Sequence, residues 1–440
     1  MKMKSLLVSA MCLSIFAGIS QEVAFEEYDL DNDLHVILHQ DNTAPLISIS
    51  VLYHVGSKDE DPQRTGFAHF FEHLLFEGTE NIKKGEWDKI VSSNGGSGNA
   101  TTDEDRTYYY EVFPSNNLEL GLWLESERML HPVINQKGVD TQNEVVKEEK
   151  RLRVDNSPYG KFIENIKKNL FQNHPYKETV IGKMADLDAA TLDEFIAFKK
   201  KFYSPNNAVL VIAGDFEKDN AKELISDYFK DIPKGAEITR NFPKEDPITT
   251  EINAKAYDSN IQIPASMIAY RTPGLRNRDS QVLEMISTYL SDGPSSKLYK
   301  KMVDDEKQAL QIGAIPVTLE DYGMYIIFAL PVGETGLNTL NNSIEEEVEK
   351  LRTDLISEND YQKLQNKFEN QFVNSNSSVE GIANSLAEYY MLYGDTSLIN
   401  KEIEVYRSIT REEIQEVAQK YLKPNQRLVL EYLPEQNTAN

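Results

Sequence analysis

Apolar positions follow two different spacings along this chain, and each spacing predicts a type of element. Short apolar runs bounded by turn residues predict strands at 34–39, 47–54, 106–112, 208–213, 266–270, 322–330 and 427–432. Apolar residues recurring at three and four positions predict helices near 66–75, 84–93, 118–129, 140–152, 218–228, 279–290, 337–351, 358–376 and 381–392. Strands and helices mix without strict βαβ alternation, so the pattern indicates the α+β class.

A capped helix followed by a buried strand occurs twice in the chain. In the first copy Thr191 is the predicted N-cap and Pro205 stops the helix before an apolar run. In the second copy Thr410 and Pro424 have the same roles at the same separation. Because cap, helix length and stop coincide, we expect two homologous halves of about 200 residues each.

The join between the halves is predicted near residues 233–256. That stretch contains several prolines and a glycine among charged and polar residues, which is typical of a linker. We therefore predict two domains, residues 21–240 and residues 241–440, after an N-terminal segment formed by residues 1–20.

Residues 1–20 have the pattern of a cleavable signal peptide. Two lysines precede a short apolar stretch, and Gly18 and Ser20 are small residues just before Gln21. No later run approaches the roughly 20 apolar residues of a spanning helix. We therefore expect a periplasmic or secreted protein without a stable membrane anchor.

Charge and cysteine content exclude several classes of function. The chain has 46 basic and 71 acidic residues, a formal net charge of −25, so it should repel the phosphates of nucleic acids. Its single cysteine, Cys12, lies inside the apolar stretch after Met11, where a lipid anchor would need a small residue. Once the leader is removed, neither a thiol nucleophile nor a cysteine-ligated metal is available.

The segment from Phe67 to Leu75 combines an apolar helical pattern with a polar trio. His69 and His73 are four residues apart, so a helix projects both from one face and they can bind one metal ion. Glu72 lies at the edge of that face, where it can contact a water rather than the metal. Burying this trio is costly unless a metal or hydrogen bonds satisfy it. The motif is His-x-x-Glu-His, the inverted zincin signature.

A catalytic zinc site needs a third protein ligand and an open position for water. The charged helix at residues 143–151 offers Glu144, Glu148 and Glu149. Spacing alone does not choose among them. Imidazole and carboxylate ligands suit zinc, and manganese or cobalt can replace it.

Taken together, these motifs resemble the pitrilysin/insulinase/mitochondrial processing peptidase family of zinc endopeptidases, in its bacterial two-domain type. The matching segments are 69–79 with the two histidines, 95–102 followed by 107–110 and Pro114, 143–151 with 156–160, 174–176 with Gly182, and 293–299. The resemblance covers essentially the whole chain after the leader.

The resemblance implies two homologous α/β-sandwich-type halves that enclose a peptide-binding cavity. It implies a Zn²⁺ endopeptidase acting on peptides or small unfolded segments, with Glu149 as the third ligand beside His69 and His73, and Glu72 as the general base. It also implies that Asn99 and Ala100 lie on an edge strand that pairs with an extended substrate.

This chain departs from the family pattern at three positions. Gln142 stands where many relatives have a glutamate seven residues before the third ligand. Val303 and Leu310 stand where active relatives have an arginine and a tyrosine, and neither can stabilise an oxyanion. The second half also lacks the histidine motif.

We therefore expect residues 21–240 to form the metal-binding peptidase domain and residues 241–440 a homologous domain without a metal site. The whole chain would be the metal-bearing subunit of a two-chain enzyme, with a homologous partner chain supplying the arginine and tyrosine. The alternative is a non-catalytic assembly subunit or a peptide-capturing subunit of the same fold.

Overall fold

The structure is a computed structural model that describes residues 22–435, apart from the side chain of Val373. The predicted signal peptide and Cys12 lie outside the described residues. The strands are β1 (Glu26–Asp29), β2 (His35–Gln40), β3 (Leu46–Tyr53), β4 (Ser97–Thr102), β5 (Thr107–Pro114), β6 (Ala208–Gly214), β7 (Ile252–Asp258), β8 (Ala265–Pro273), β9 (Ala309–Thr318), β10 (Tyr322–Pro331) and β11 (Arg427–Pro434).

The helices surround these strands. They are α1 (Phe67–Leu74), α2 (Trp87–Ser93), α3 (Leu118–Leu130), α4 (Gln136–Lys150), α5 (Phe162–Leu170), α6 (Met184–Ala189), α7 (Leu192–Phe202), α8 (Lys218–Phe229), α9 (Arg278–Ser291), α10 (Lys297–Tyr299), α11 (Leu337–Thr353), α12 (Glu358–Ser375), α13 (Val379–Glu388), α14 (Leu398–Ser408) and α15 (Arg411–Tyr421). The π-helical segments Arg151–Asp155, Lys300–Asp305 and Tyr389–Tyr393 extend α4, α10 and α13. None of the helices within residues 22–435 combines the length and apolar character needed to cross a bilayer.

The described strands form two sheets with corresponding topologies. The first sheet has the order β1-β2-β6-β3-β5-β4, and the second has the order β7-β11-β8-β10-β9. Apart from β1 the two orders match strand for strand. Each sheet also contains a parallel pair at the matching place, β2 with β6 and β7 with β11. The prediction of an α+β fold built from two homologous halves is confirmed.

The repeated helix uses the same capping chemistry in both halves. The Thr191 hydroxyl accepts a hydrogen bond from the Glu194 amide, and the Glu194 carboxylate accepts one from the Thr191 amide at 2.8 Å. This reciprocal pair is a capping box at the start of α7. At the start of α15, Thr410 accepts from the Glu413 amide at 3.1 Å. Both predicted N-caps are therefore confirmed.

The two halves cover each other's sheets with equivalent helices. Helix α5 of the first half places Ile166 and Leu170 in a buried cluster with strands of the second sheet. Helix α13 of the second half places Ile382 and Leu386 in a buried cluster with β2, β3 and β6. Because each half buries an apolar helix of the other, separating them would expose two core clusters.

Candidate metal centre

Helix α1, which carries the histidine motif, is anchored by its apolar face. Phe67, Phe70 and Leu74 are buried, and Phe195 of α7 stacks on the rings of both phenylalanines, with centroids 4.5 and 4.6 Å away. The polar face of α1 is thereby turned toward α4 and β4. The apolar spacing of the motif is thus what orients the histidines.

The start of α1 is capped by a buried carboxylate. Glu60 accepts hydrogen bonds from the amides of Gly66 and Ala68, at 2.7 and 2.8 Å. Gly66 has a φ of +93°, a conformation that favours glycine. Amides in the first turn of a helix have no partner within the helix, so Glu60 satisfies groups that would otherwise be buried unpaired. Burial raises the pKa of the Glu60 carboxyl.

Three predicted site residues converge beside α1. Oε2 of Glu149 lies 3.6 Å from Nε2 of His69 and 3.2 Å from Nε2 of His73. One ligand atom from each residue fits within 4.8 Å of the others. Tetrahedral zinc with bonds of about 2.1 Å places neighbouring ligand atoms roughly 3.4 Å apart. The observed separations from Glu149 therefore suit one zinc ion.

The protonation and hydrogen bonding of these three side chains also favour metal binding. Burial, together with the neighbouring His73, lowers the pKa of His69 to about 4, so its imidazole is neutral at pH 7 and able to bind metal. The adjacent His73 imidazole lowers the pKa of the Glu149 carboxyl. Although Oε2 of Glu149 is close to His73, it is buried and makes no well-formed hydrogen bond to any described residue. A metal ion would satisfy that oxygen.

The choice among the three glutamates of α4 comes from helix geometry. Glu144 pairs with Lys147 and Glu148 pairs with Arg151, each at 3.0 Å on the exposed side of the helix. Glu149, in the last turn of α4, faces α1 instead.

Glu72 lies beside the three converging side chains but outside their group. Its Oε2 accepts a 2.5 Å hydrogen bond from the hydroxyl of Thr102, at the end of β4. Burial raises the pKa of the Glu72 carboxyl. The hydroxyl of Tyr109 donates to the carbonyl of Phe71 at 3.1 Å, so β4 and β5 together hold this part of α1.

Two further residues support α4 near the site: Arg153 contacts Glu149, and Gln142 contacts the segment after α1. Nη1 of Arg153 lies 2.8 Å from Oε1 of Glu149, the oxygen that faces away from the histidines. Sequence reasoning missed Arg153, although its four-residue spacing from Glu149 on a helix signals a pair. Gln142, the departure from the family pattern, donates to Glu77 at 2.6 Å and so ties α4 to the segment after α1.

The predicted substrate residues lie on an edge strand. Strand β4 pairs with β5 on one side and is the last strand of its sheet. Asn99 is exposed, whereas the side chain of Ala100 is buried in the core beneath the strand. The outer backbone groups of β4 have no neighbouring strand in the sheet.

The second half presents apolar side chains at the two divergent positions. Val303 packs against the core of the second half, and Leu310 on β9 is 59% exposed. Helix α9, in the place that α1 has in the first half, contains no histidine.

Comparison with known proteins gives consistent matches over most of the chain. Residues 35–183 match the family model described as "Insulinase (Peptidase family M16)", and residues 189–368 match "Peptidase M16 inactive domain". A zinc protease of Helicobacter pylori, PqqE, is 29% identical over 91% of each chain.

Solved structures give the same result. The crystal structure of a protease from Helicobacter pylori has a TM-score of 0.88 at 28% identity, covering 93% of this chain and 99% of that one. A putative M16-like peptidase from Alicyclobacillus acidocaldarius has a TM-score of 0.82 at 19% identity, covering 95% and 100%, and shows the shared fold.

Proposed function

The chain belongs to the insulinase (M16) family of peptidases, and on that premise we propose that it is a zinc-dependent endopeptidase acting on peptides or small unfolded segments. The observation that carries the proposal is the convergence of His69, His73 and Glu149 at separations suited to tetrahedral zinc, with Glu72 beside them. The pattern of residues 1–20 supports export as the route to a periplasmic or extracellular substrate.

His69, His73 and Glu149 would hold the zinc. Once bound, zinc would supply Lewis-acid polarisation of a peptide carbonyl and would acidify water. Glu72 would take the proton of the attacking water and deliver it to the leaving amine. Arg153 would hold the outer oxygen of Glu149 and so keep Oε2 directed at the metal.

The substrate would add to β4 as a further strand. Pairing through backbone groups tolerates varied side chains, which suits an enzyme for unfolded segments. Asn99 and Ala100 lie in the middle of this strand, close to α1.

The missing arginine and tyrosine support a two-chain enzyme. Neither Val303 nor Leu310 can donate a hydrogen bond from its side chain to an oxyanion. A second copy of this chain would have the same two residues. We therefore infer a non-identical homologous partner that supplies both donors.

Metal analysis and a quenched-fluorescent peptide assay, with and without that partner, test the proposal. We expect about one zinc per chain, weak cleavage alone and strong cleavage with the partner. Glu72→Gln should keep the zinc and lower turnover by about 10²–10⁴-fold. Zinc without cleavage under any condition would indicate peptide capture, and absence of zinc would indicate an assembly role.

A further inference from the structure

The alternation of side chains along β4 directs Thr102 toward helix α1. Successive side chains of a strand point to opposite faces. Ala100 is buried against the core on the side of α1, and Thr102, two residues later, shares that side. Thr101 points the other way, and its hydroxyl accepts a hydrogen bond from Arg106.

The hydroxyl of Thr102 contacts one oxygen of Glu72 and leaves the other free. It donates to Oε2 at 2.5 Å, whereas Oε1 receives no hydrogen bond from the described residues. A carboxylate acting as a base needs one oxygen directed at the water. A donor fixed on the other oxygen limits rotation of the group and so selects the oxygen that reacts.

The strand end that carries Thr102 is itself held in place. The Asp103 carboxylate accepts hydrogen bonds from the amides of Asp105 and Arg106, at 2.7 and 2.8 Å. The Arg106 guanidinium donates to the Thr101 carbonyl at 3.2 Å and to Glu388 of the second half at 3.1 Å. The position of the hydroxyl is therefore set by the turn after β4 and by the second half.

From these contacts we propose that Thr102 is a positioning residue: its hydroxyl holds the Glu72 carboxylate in place, and it links that carboxylate directly to the strand on which the substrate docks. The inference rests on the proposed function. A peptide paired with β4 would steady the strand that orients the base. Among the described residues, the hydroxyl of Thr102 makes its hydrogen bond to Glu72 and none to His69, His73 or Glu149.

Two substitutions at position 102 test this role in the full chain with its partner. Thr102→Val keeps the shape and β-branching but removes the donor, and Thr102→Ser keeps the donor. We expect Thr102→Val to lower kcat by about 10–100-fold, as for other supporting residues, with KM and zinc affinity within about threefold of wild type. Thr102→Ser should restore kcat to within about threefold.

Crystal structures of the zinc-loaded wild type and Thr102→Val give a measurement independent of turnover. The Glu72 carboxylate should keep its orientation in the wild type and adopt a different one in the variant. Unchanged kcat in Thr102→Val, equal losses in the two variants, or an unmoved carboxylate would overturn the inference. An inactive wild type would instead overturn the proposed function, and the two crystal structures would still decide whether Thr102 fixes Glu72.

Discussion

Two adjacent glutamates of α4 have different surroundings, and only one of them faces the histidines of α1. Glu149 faces both imidazoles, whereas Glu148 pairs with Arg151 at the surface. Spacing in the sequence does not separate them, because the choice depends on how α4 packs against α1. Val139 and Val146 of α4 share the core cluster of α1 and set that rotation.

Matched substitutions of these glutamates test the ligand set. Glu149→Gln should lower zinc affinity by more than about 100-fold, since loss of a ligand exceeds the effect of losing an outer partner. Glu148→Gln should bind zinc as the wild type does. Titration against a competing chelator measures both, with circular dichroism to verify folding. Equal zinc affinities in the two variants would exclude Glu149 as a ligand.

A second buried carboxylate predicts how stability depends on pH. Burial raises the pKa of Glu284 from 4.5 to about 7, and the hydroxyl of Tyr406 donates to it. The folded state therefore binds the proton more tightly than the unfolded state does. The contribution of Glu284 to stability is complete below pH 4.5 and is lost as the pH rises to about 7.

Glu284→Gln imitates the protonated side chain and should remove this dependence. Between pH 4.5 and about 7, the free energy of unfolding of the wild type should fall relative to that of the variant, by roughly 3 kcal/mol at most. Urea titrations at several pH values measure the difference. Parallel pH profiles for the two proteins would contradict the assignment.

At the scale of elements, the sequence predicted the strands inside the sheets and missed the strands at the sheet edges. All seven predicted strands lie inside the sheets, and the four strands that the sequence did not predict, β1, β4, β7 and β9, are the sheet edges. Interior strands are continuous apolar runs, such as β6, in which every residue is buried. In β4 only Ala100 is buried, so hydrophobicity gives no signal there. Its place next to the site was expected only from the family resemblance.

Four helices were missed for a related reason. Helices α5, α6, α10 and α14 are absent from the prediction. Helix α5 buries Ile166 and Leu170 against the other half, so its apolar face reflects a contact between sequence-distant segments. Helix α1, by contrast, was predictable because its apolar stripe and polar trio stand within one segment.

The cap of α1 offers a test at this scale. Glu60→Gln should weaken zinc binding without changing a ligand. The glutamine side chain has a single accepting oxygen, so it cannot accept from the backbone N–H groups of both Gly66 and Ala68, and one of these buried groups is left unpaired. The cost in the free energy of unfolding should be about 1–3 kcal/mol. Zinc titration and urea denaturation measure the two effects. Wild-type values for both would show that α1 does not need this cap.

At the scale of the molecule, a buried charge network joins the halves behind the site. The Lys58 ammonium, in the loop that leads to Glu60, lies 2.8 Å from Asp105 and 2.6 Å from Glu320 of the second half. His54 also binds Glu320, at 2.8 Å. Burial raises the pKa of Glu320, but His54 and Lys58 outweigh burial and lower this pKa to about 2.

This network makes the second half a support for helix α1 rather than a separate unit. Asp105 follows the turn after β4 and accepts a 2.7 Å hydrogen bond from the Glu320 amide, so one second-half turn contacts the segments before α1 and after β4. Its residues come from three segments far apart in the sequence, around Lys58, Asp105 and Glu320, which is why no local pattern predicts it.

Breaking the network from the second half should therefore affect both stability and the metal site. Glu320→Gln leaves Lys58 less well paired in the interior, and removing one partner of a buried pair costs up to about 3–5 kcal/mol. Glu334→Gln, at an exposed residue in the loop between β10 and α11, is the matched control. A double-mutant cycle with Lys58→Met should give a coupling energy above about 0.5 kcal/mol. Additive effects of the two substitutions, with unchanged zinc affinity in Glu320→Gln, would mean that the first half positions α1 without help from the second.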